Sequence, residues 1–110
     1  MLAVEMEENA YETLTFRAEI SLDQSAMFGR PGFGSGIRPN HRLPGRDYYV
    51  FGQIDFIDID WLAPSETCEA TCVFVVPKQD VATFVPGFRW EFSEGIRRVG
   101  FGHILWIDNT

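Results

Sequence analysis

Phe88-Arg89-Trp90-Glu91-Phe92-Ser93-Glu94-Gly95-Ile96-Arg97-Arg98-Val99-Gly100-Phe101-Gly102-His103-Ile104 reads as a strand, a tight turn with Gly95 at its tip, and a returning strand punctuated by Gly100 and Gly102. A hairpin at the end of a 110-residue chain sets the expectation for what precedes it. That length makes one domain and is enough for a core without staples. Ten Phe, three Trp and three Tyr, with ten Gly and six Pro, favour an all-β domain with many turns.

Working back from the hairpin, Pro86-Gly87 marks a turn, and residues 78–86 connect it to a strand that Pro77 stops. In that strand Cys68, Ala70, Cys72, Phe74 and Val76 alternate with Glu69, Thr71, Val73 and Val75. The two valines on the second parity predict burial on both sides near its end. Pro64-Ser65-Glu66 is a turn. From Tyr48 to Trp61 the chain is strand-like, with Phe51, Ile57, Ile59 and Trp61 expected inside and Asp58 and Asp60 at a solvated rim. Residues 23–46 form a long stretch rich in Gly and Pro, expected to be irregular and either functional or packed on itself. Within it, residues 35–39 suit a short extended piece. The clearest alternation comes first: Leu14, Phe16, Ala18, Ile20 and Leu22 on one face, against Thr13, Thr15, Arg17, Glu19 and Ser21. Residues 1–12 lack periodicity and read as an acidic lead-in to a single domain over 13–110. Six short antiparallel strands with no internal repeat predict a small closed barrel, which leaves no open edge.

The net charge is −7, and Glu5, Glu7, Glu8 and Glu12 leave the rest of the chain at about −3. An acidic chain creates no attractive long-range field toward nucleic acid and is better matched to a basic protein partner. The acidic N-terminus lacks the basic and apolar regions of a signal peptide, and no run approaches a membrane span, so the expected setting is cytoplasmic. Cys68 and Cys72, four apart in one strand, would hold their Cα atoms ~13 Å apart, whereas a disulfide needs less than ~7 Å. They are expected as reduced thiols in a cytosolic protein. They also lack partners at the spacing of a zinc finger.

Three segments resemble the third domain of elongation factor Tu, in the same order. Phe16-Arg17-Ala18-Glu19-Ile20 is similar to its opening Phe-x-Ala/Ser-Glu-Val strand. Ser35-Gly36-Ile37-Arg38-Pro39-Asn40 resembles its Ser-Gly-Tyr-Arg-Pro-Gln segment. Phe88 to Val99 resembles its Leu-Arg-Phe-Ala-Ile-Arg-Glu-Gly-Gly-Arg-Thr-Val hairpin. The match spans residues 14–107 and implies a six-stranded antiparallel barrel without chemistry of its own. In the factor this domain docks on neighbouring domains, on the exchange factor and on the T arm of aminoacyl-tRNA. The chain departs from the pattern at the tip, where Ile96 stands for a glycine and Ser93 for an arginine. It departs again after Asn40, where His41-Arg42-Leu43-Pro44-Gly45-Arg46-Asp47 replaces the tRNA-contacting strand end. No Gly-x-x-x-x-Gly-Lys-Ser/Thr loop is present to cradle a nucleotide.

The residues therefore predict no catalytic group, cofactor or metal. Asp55, Asp58 and Asp60 lack the Gly and Glu of a calcium loop. Gly32-Phe33-Gly34-Ser35-Gly36 lacks the following helix of a phosphate site. His103 is expected half-buried on the last strand. Two clusters suit a partner: Arg38, His41, Arg42 and Arg46 in the 28–46 loop, and Arg89, Trp90, Glu94, Gly95, Arg97 and Arg98 around the hairpin. The expected function is a non-enzymatic module docking on another protein, either as a mimic of the translation factor or as an immunity-type inhibitor. The alternative is tRNA or RNA binding through the 28–46 loop and the 93–98 turn.

Overall fold

The computed structural model describes residues 10–24 and 32–108. Their strands are β1 (Tyr11–Leu22), β2 (Phe33–Gly34), β3 (Asn40–Arg42), β4 (Tyr49–Phe56), β5 (Trp61–Leu62), β6 (Thr67–Pro77), β7 (Arg89–Glu94) and β8 (Arg97–Asp108). A 3-10 helix, Lys78–Thr83, follows β6. Six strands close into an antiparallel barrel in the order β1-β6-β4-β3-β7-β8, with β8 returning to pair β1. The expected six-stranded barrel is therefore the architecture. Strands β2 and β5 form a separate two-stranded ribbon, in which Phe33 pairs with Leu62 and both side chains are buried.

Side-chain alternation explains which wall faces in. On β1, Phe16, Ala18, Ile20 and Leu22 are buried, and on β6, Ala70, Cys72, Phe74 and Val76. Antiparallel pairing of Phe16 with Cys72 and Ala18 with Ala70 puts both sets on one side of the sheet. Phe16, Phe74, Phe84 and Trp90 then meet in edge-on and tilted contacts, with centroids 4.9 to 5.9 Å apart. Such contacts add to the stabilisation from burying the rings. The strand glycines make room for these rings. Phe74 lies over its partner Gly52, and the indole of Trp90 lies over Gly102. The loop-and-helix end of the barrel is tied by Asp80, buried with 2 % exposure. Arg46 donates to it from Nε (3.0 Å) and lies at 2.9 Å through Nη2. The Tyr48 hydroxyl donates to the other carboxylate oxygen.

Several expectations are corrected. Val73 and Val75 face outward, because they sit opposite the inward parity that Phe74 and Val76 occupy. The parity read for 48–61 is reversed: Val50, Ile54, Phe56 and Leu62 are buried, while Phe51, Ile59 and Trp61 are exposed. The run is not one strand. It ends at Phe56 and turns through Asp58, whose φ is +67°, so apolar spacing across the turn carries no common face. The stretch 23–46 is also less irregular than expected among the described residues. It supplies β2 and β3, and Ile37 bridges Ile54. β2 pairs with β5 and β3 with β7, both far along the chain, which is why no local pattern announced them. Residues 1–9 of the expected lead-in lie outside the described residues. Tyr11 and Glu12, placed in it, belong to β1 through pairing with Pro77 and Val76.

Candidate functional site

Strand β7 brings Arg42 of one predicted cluster beside Arg89 and Arg98 of the other. Its neighbours are β3, which carries Arg42, and β8, which carries Arg98 and Phe101. Arg42 pairs with Glu91 across one ladder, and Glu91 with Phe101 across the next, so the three form an outward row. Arg89, two residues before Glu91, shares its face. Its guanidinium carbon lies 5.1 Å from the Phe101 ring centroid, a cation–π arrangement. Arg98 reaches the same region past a bulge, since Phe92 pairs with Gly100 but Ser93 with Arg98. Its Nε donates to Asp23 (2.7 Å) and its Nη1 to Glu91 (3.2 Å). These bonds, that to Asp23 first, raise the guanidinium's pKa above its ordinary value.

A groove of about 410 Å³ runs between these side chains, with Pro44 on its far wall. Its rim carries Arg42, Arg89 and Arg98 against one carboxylate, Glu91. Arg42 has no acidic partner among the described residues. The arrangement offers planar guanidinium forks beside an aromatic surface, which suits carboxylate groups on a partner. A second groove, of about 390 Å³, joins Arg38, Pro39 and Asn40 to Glu94 and Gly95 at the hairpin tip. There Arg38 donates from Nε to Gln53 (2.9 Å), and Ile96 at the tip is fully exposed. Arg97 pairs with Glu94 across the turn.

Two predicted partner residues are removed from the surface. His41 is 0 % exposed and Trp90 is 1 % exposed. β3 is the reason: His41 pairs with Val50 on one side and Phe92 on the other, on the inward parity. Trp90 Nε1–H donates to His41 Nδ1 at 3.0 Å, so the imidazole proton sits on Nε2 and is donated to the Gly52 carbonyl, also at 3.0 Å. Burial, only partly offset by that Gly52 bond, lowers the His41 pKa to about 4. A third residue, Arg46, is spent on Asp80, on the Pro44 carbonyl (2.8 Å) and on Thr83 (3.1 Å). It belongs to the fold's framework.

The thiols are reduced, with Cys68 half-buried and Cys72 buried. Burial, then Glu66, pushes the Cys68 pKa up to about 11. Burial, then Asp55 and Cys68, raises that of Cys72 further. Both are protonated at neutral pH and poor nucleophiles. In the native protein an alkylating agent is expected to modify Cys68 slowly and Cys72 only on unfolding, which peptide mapping after graded urea exposure checks. His103 is half-buried, 3.7 Å from Glu19. Among the described residues no group of three His, Cys, Asp or Glu gathers as a metal site, and no helix is long and apolar enough to cross a membrane.

One surface was missed by reading the sequence. On β4, β6 and β1 the outward rows are Gln53, Val73, Thr15 and then Phe51, Val75, Thr13. Tyr11 and Pro77 continue them, with Tyr49 alongside. Phe51 is 83 % exposed. The signal was present in Phe51, Val73 and Val75, which the spacing alone reads as interior. Compared with known proteins, the chain matches no protein-family model and no curated sequence.

Proposed function

We propose that this chain is a non-enzymatic binding module that docks the outside of its barrel on another protein. The observation that carries the reading is the convergence of Arg42, Arg89 and Arg98 around Phe101 in one outward groove. Arginine and aromatic side chains dominate the energetics of protein interfaces. The partner face that fits presents carboxylates to the groove, while the −7 charge of the whole chain favours basic residues around them. The resemblance to the third domain of elongation factor Tu frames two forms of the function. The chain competes for something that recognises the factor, or it neutralises a partner as an immunity-type inhibitor. Both are placed in the cytoplasm, as the reduced thiols favour.

The test is affinity capture from the native cell with the intact chain and with Arg42→Glu/Arg89→Glu. A partner captured by the wild type is expected to bind the double variant at least about thirtyfold more weakly, the scale of a hot-spot loss. Equal capture by both overturns the assignment of the groove. The second reading, RNA binding, rests on Arg38, Asn40 and Gly95 sharing the neighbouring groove. Binding of tRNA that persists at moderate salt and is lost in Arg38→Ala would put it first, since weak phosphate contacts collapse as salt rises.

A further inference from the structure

We infer that the acidic N-terminal segment, residues 1–9, occupies the arginine groove of its own chain, with Glu5 and Glu7 pairing with Arg42 and Arg89. The contact itself needs no partner. Its consequence, a groove from which a partner must displace the segment, rests on the docking reading above.

Charge selects the occupant. The segment carries Glu5, Glu7 and Glu8 and no Lys or Arg. In the groove, Arg98 is already engaged by Asp23 and Glu91. Arg42 and Arg89, the latter over the Phe101 ring, are the guanidiniums left for carboxylates from elsewhere. Other seats fit the segment less well. Arg46 is held by Asp80, and Arg38 donates to Gln53. The uncharged face on β6 is bordered by Glu12, Asp55 and Asp108, which are like in charge to the segment. Lys78 is nearer, since its N–H donates to the Ala10 carbonyl at 2.8 Å. It is a single exposed ammonium, whereas the groove offers two planar forks.

The place where the described chain begins makes the contact reachable. Ala10 lines a groove of about 400 Å³ that runs by Tyr11, Pro77 and Gln79 to Tyr48 and Tyr49. None of these residues is charged at neutral pH. Tyr49 is the ladder partner of Arg42, and Arg42 is that of Glu91, two residues from Arg89. The groove at Ala10 therefore leads to the arginines at the same end of the barrel. From β1 through β6 and β4 to β3 is three strand spacings, about 15 Å. Glu5 lies five residues before Ala10 and Glu7 three, so their Cα atoms reach up to roughly 17 and 10 Å from it. The side chains close the remaining gaps to Arg42 and Arg89.

The tether also explains why the occupant comes from the same chain. A second copy approaches against a net charge of −7 on each molecule. A segment joined by so short a link is present at an effective concentration on the order of millimolar. Exposed ion pairs, too weak to hold a separate peptide, suffice at that concentration.

NMR of the intact chain, read at the arginine Nε–H resonances, tests the inference. In Glu5→Gln/Glu7→Gln/Glu8→Gln the resonances of Arg42 and Arg89 are expected to move, while those of Arg17 and Arg46, held by Glu69 and Asp80, stay. The wild type is expected to reach the same positions in about 1 M salt, where the screening length is roughly 3 Å. Conversely, Arg42→Glu/Arg89→Glu is expected to shift the backbone amides of residues 5–8, and Lys78→Gln to leave them in place. Hexaglutamate, as a probe of the groove, is expected to bind the triple-glutamine variant about fivefold more tightly than the wild type, because no tethered carboxylates compete. Arginine resonances that are the same in wild type and triple variant overturn the inference, as does equal affinity for hexaglutamate. Amide shifts that follow Lys78 instead of the arginines overturn it too. Resonances that move on dilution place the segment on a second copy and overturn it as well. Failure to capture a partner, with these shifts present, would defeat the docking reading and leave the contact standing.

Discussion

Between pH 6.5 and pH 4 the protein is expected to lose about 3 kcal/mol of stability through His41 alone. The ring is fully enclosed and its pKa is lowered from 6.5 to about 4, first by burial. The unfolded chain therefore binds a proton in this window that the folded chain refuses. Stability is complete above pH 6.5, falls as pH drops toward 4, and changes no further through this group below that, at about 1.4 kcal/mol for each unit of pKa difference. The geometry explains the refusal. A proton added at Nδ1 would face the Trp90 Nε1–H, so two donors would point at each other with no water between them. Urea unfolding across this range, on the wild type and on His41→Gln, measures the effect. The variant keeps an amide able to donate and accept but does not titrate, and its stability is expected to be flatter with pH by that amount. Equal slopes for the two proteins would refute the assignment.

Gly52→Ala is expected to cost about 3 kcal/mol or more, at the upper end of what overpacking a core does. A Cβ there would lie 2.3 Å from Phe74 Cδ1 and 2.5 Å from Cε1. Phe74 cannot yield easily. It is fully buried, its ring centroid lies 4.9 Å from that of Phe16 and 5.4 Å from that of Trp90, and it rests 4.2 Å from the His41 imidazole. In an open strand interior the same change would stabilise, since glycine costs roughly 0.5–1 kcal/mol relative to alanine. The sign is therefore decided by contact with the ring. Gly52→Ala/Phe74→Leu is expected to be more stable than the sum of its single changes predicts, because the smaller side chain vacates the contested space. Additive costs in thermal or urea unfolding would show that the two sites do not meet.

The contrast between β1 and β4 shows what made parts of the fold legible. β1 alternates strictly with one buried face, so Phe16, Ala18, Ile20 and Leu22 could be assigned inward from spacing alone. In β4 the inward slot at Gly52 is filled from across the sheet by Phe74, and the outward slots hold Tyr49 and Phe51. The local pattern there points the wrong way, because an exposed apolar face imitates a core face. The candidate site divides similarly. Arg89 and Arg98 lie within ten residues of each other and line one groove, which Arg42 joins through the β3–β7 pairing. His41, among Arg38, Arg42 and Arg46, reads as a loop residue until that same pairing turns it inward.

Alternation in β1 and β6, the glycine turn of the last hairpin and the proline stops are properties of short segments, and they were enough to determine an all-β chain of antiparallel strands. Which face of β4 is wet, where the imidazole of His41 lies, and which arginines share a groove were decided only by the pairing of separate strands. The physical reason is that a strand's two faces are equivalent until neighbouring strands close around one of them, and closure of the barrel makes that choice for all six together.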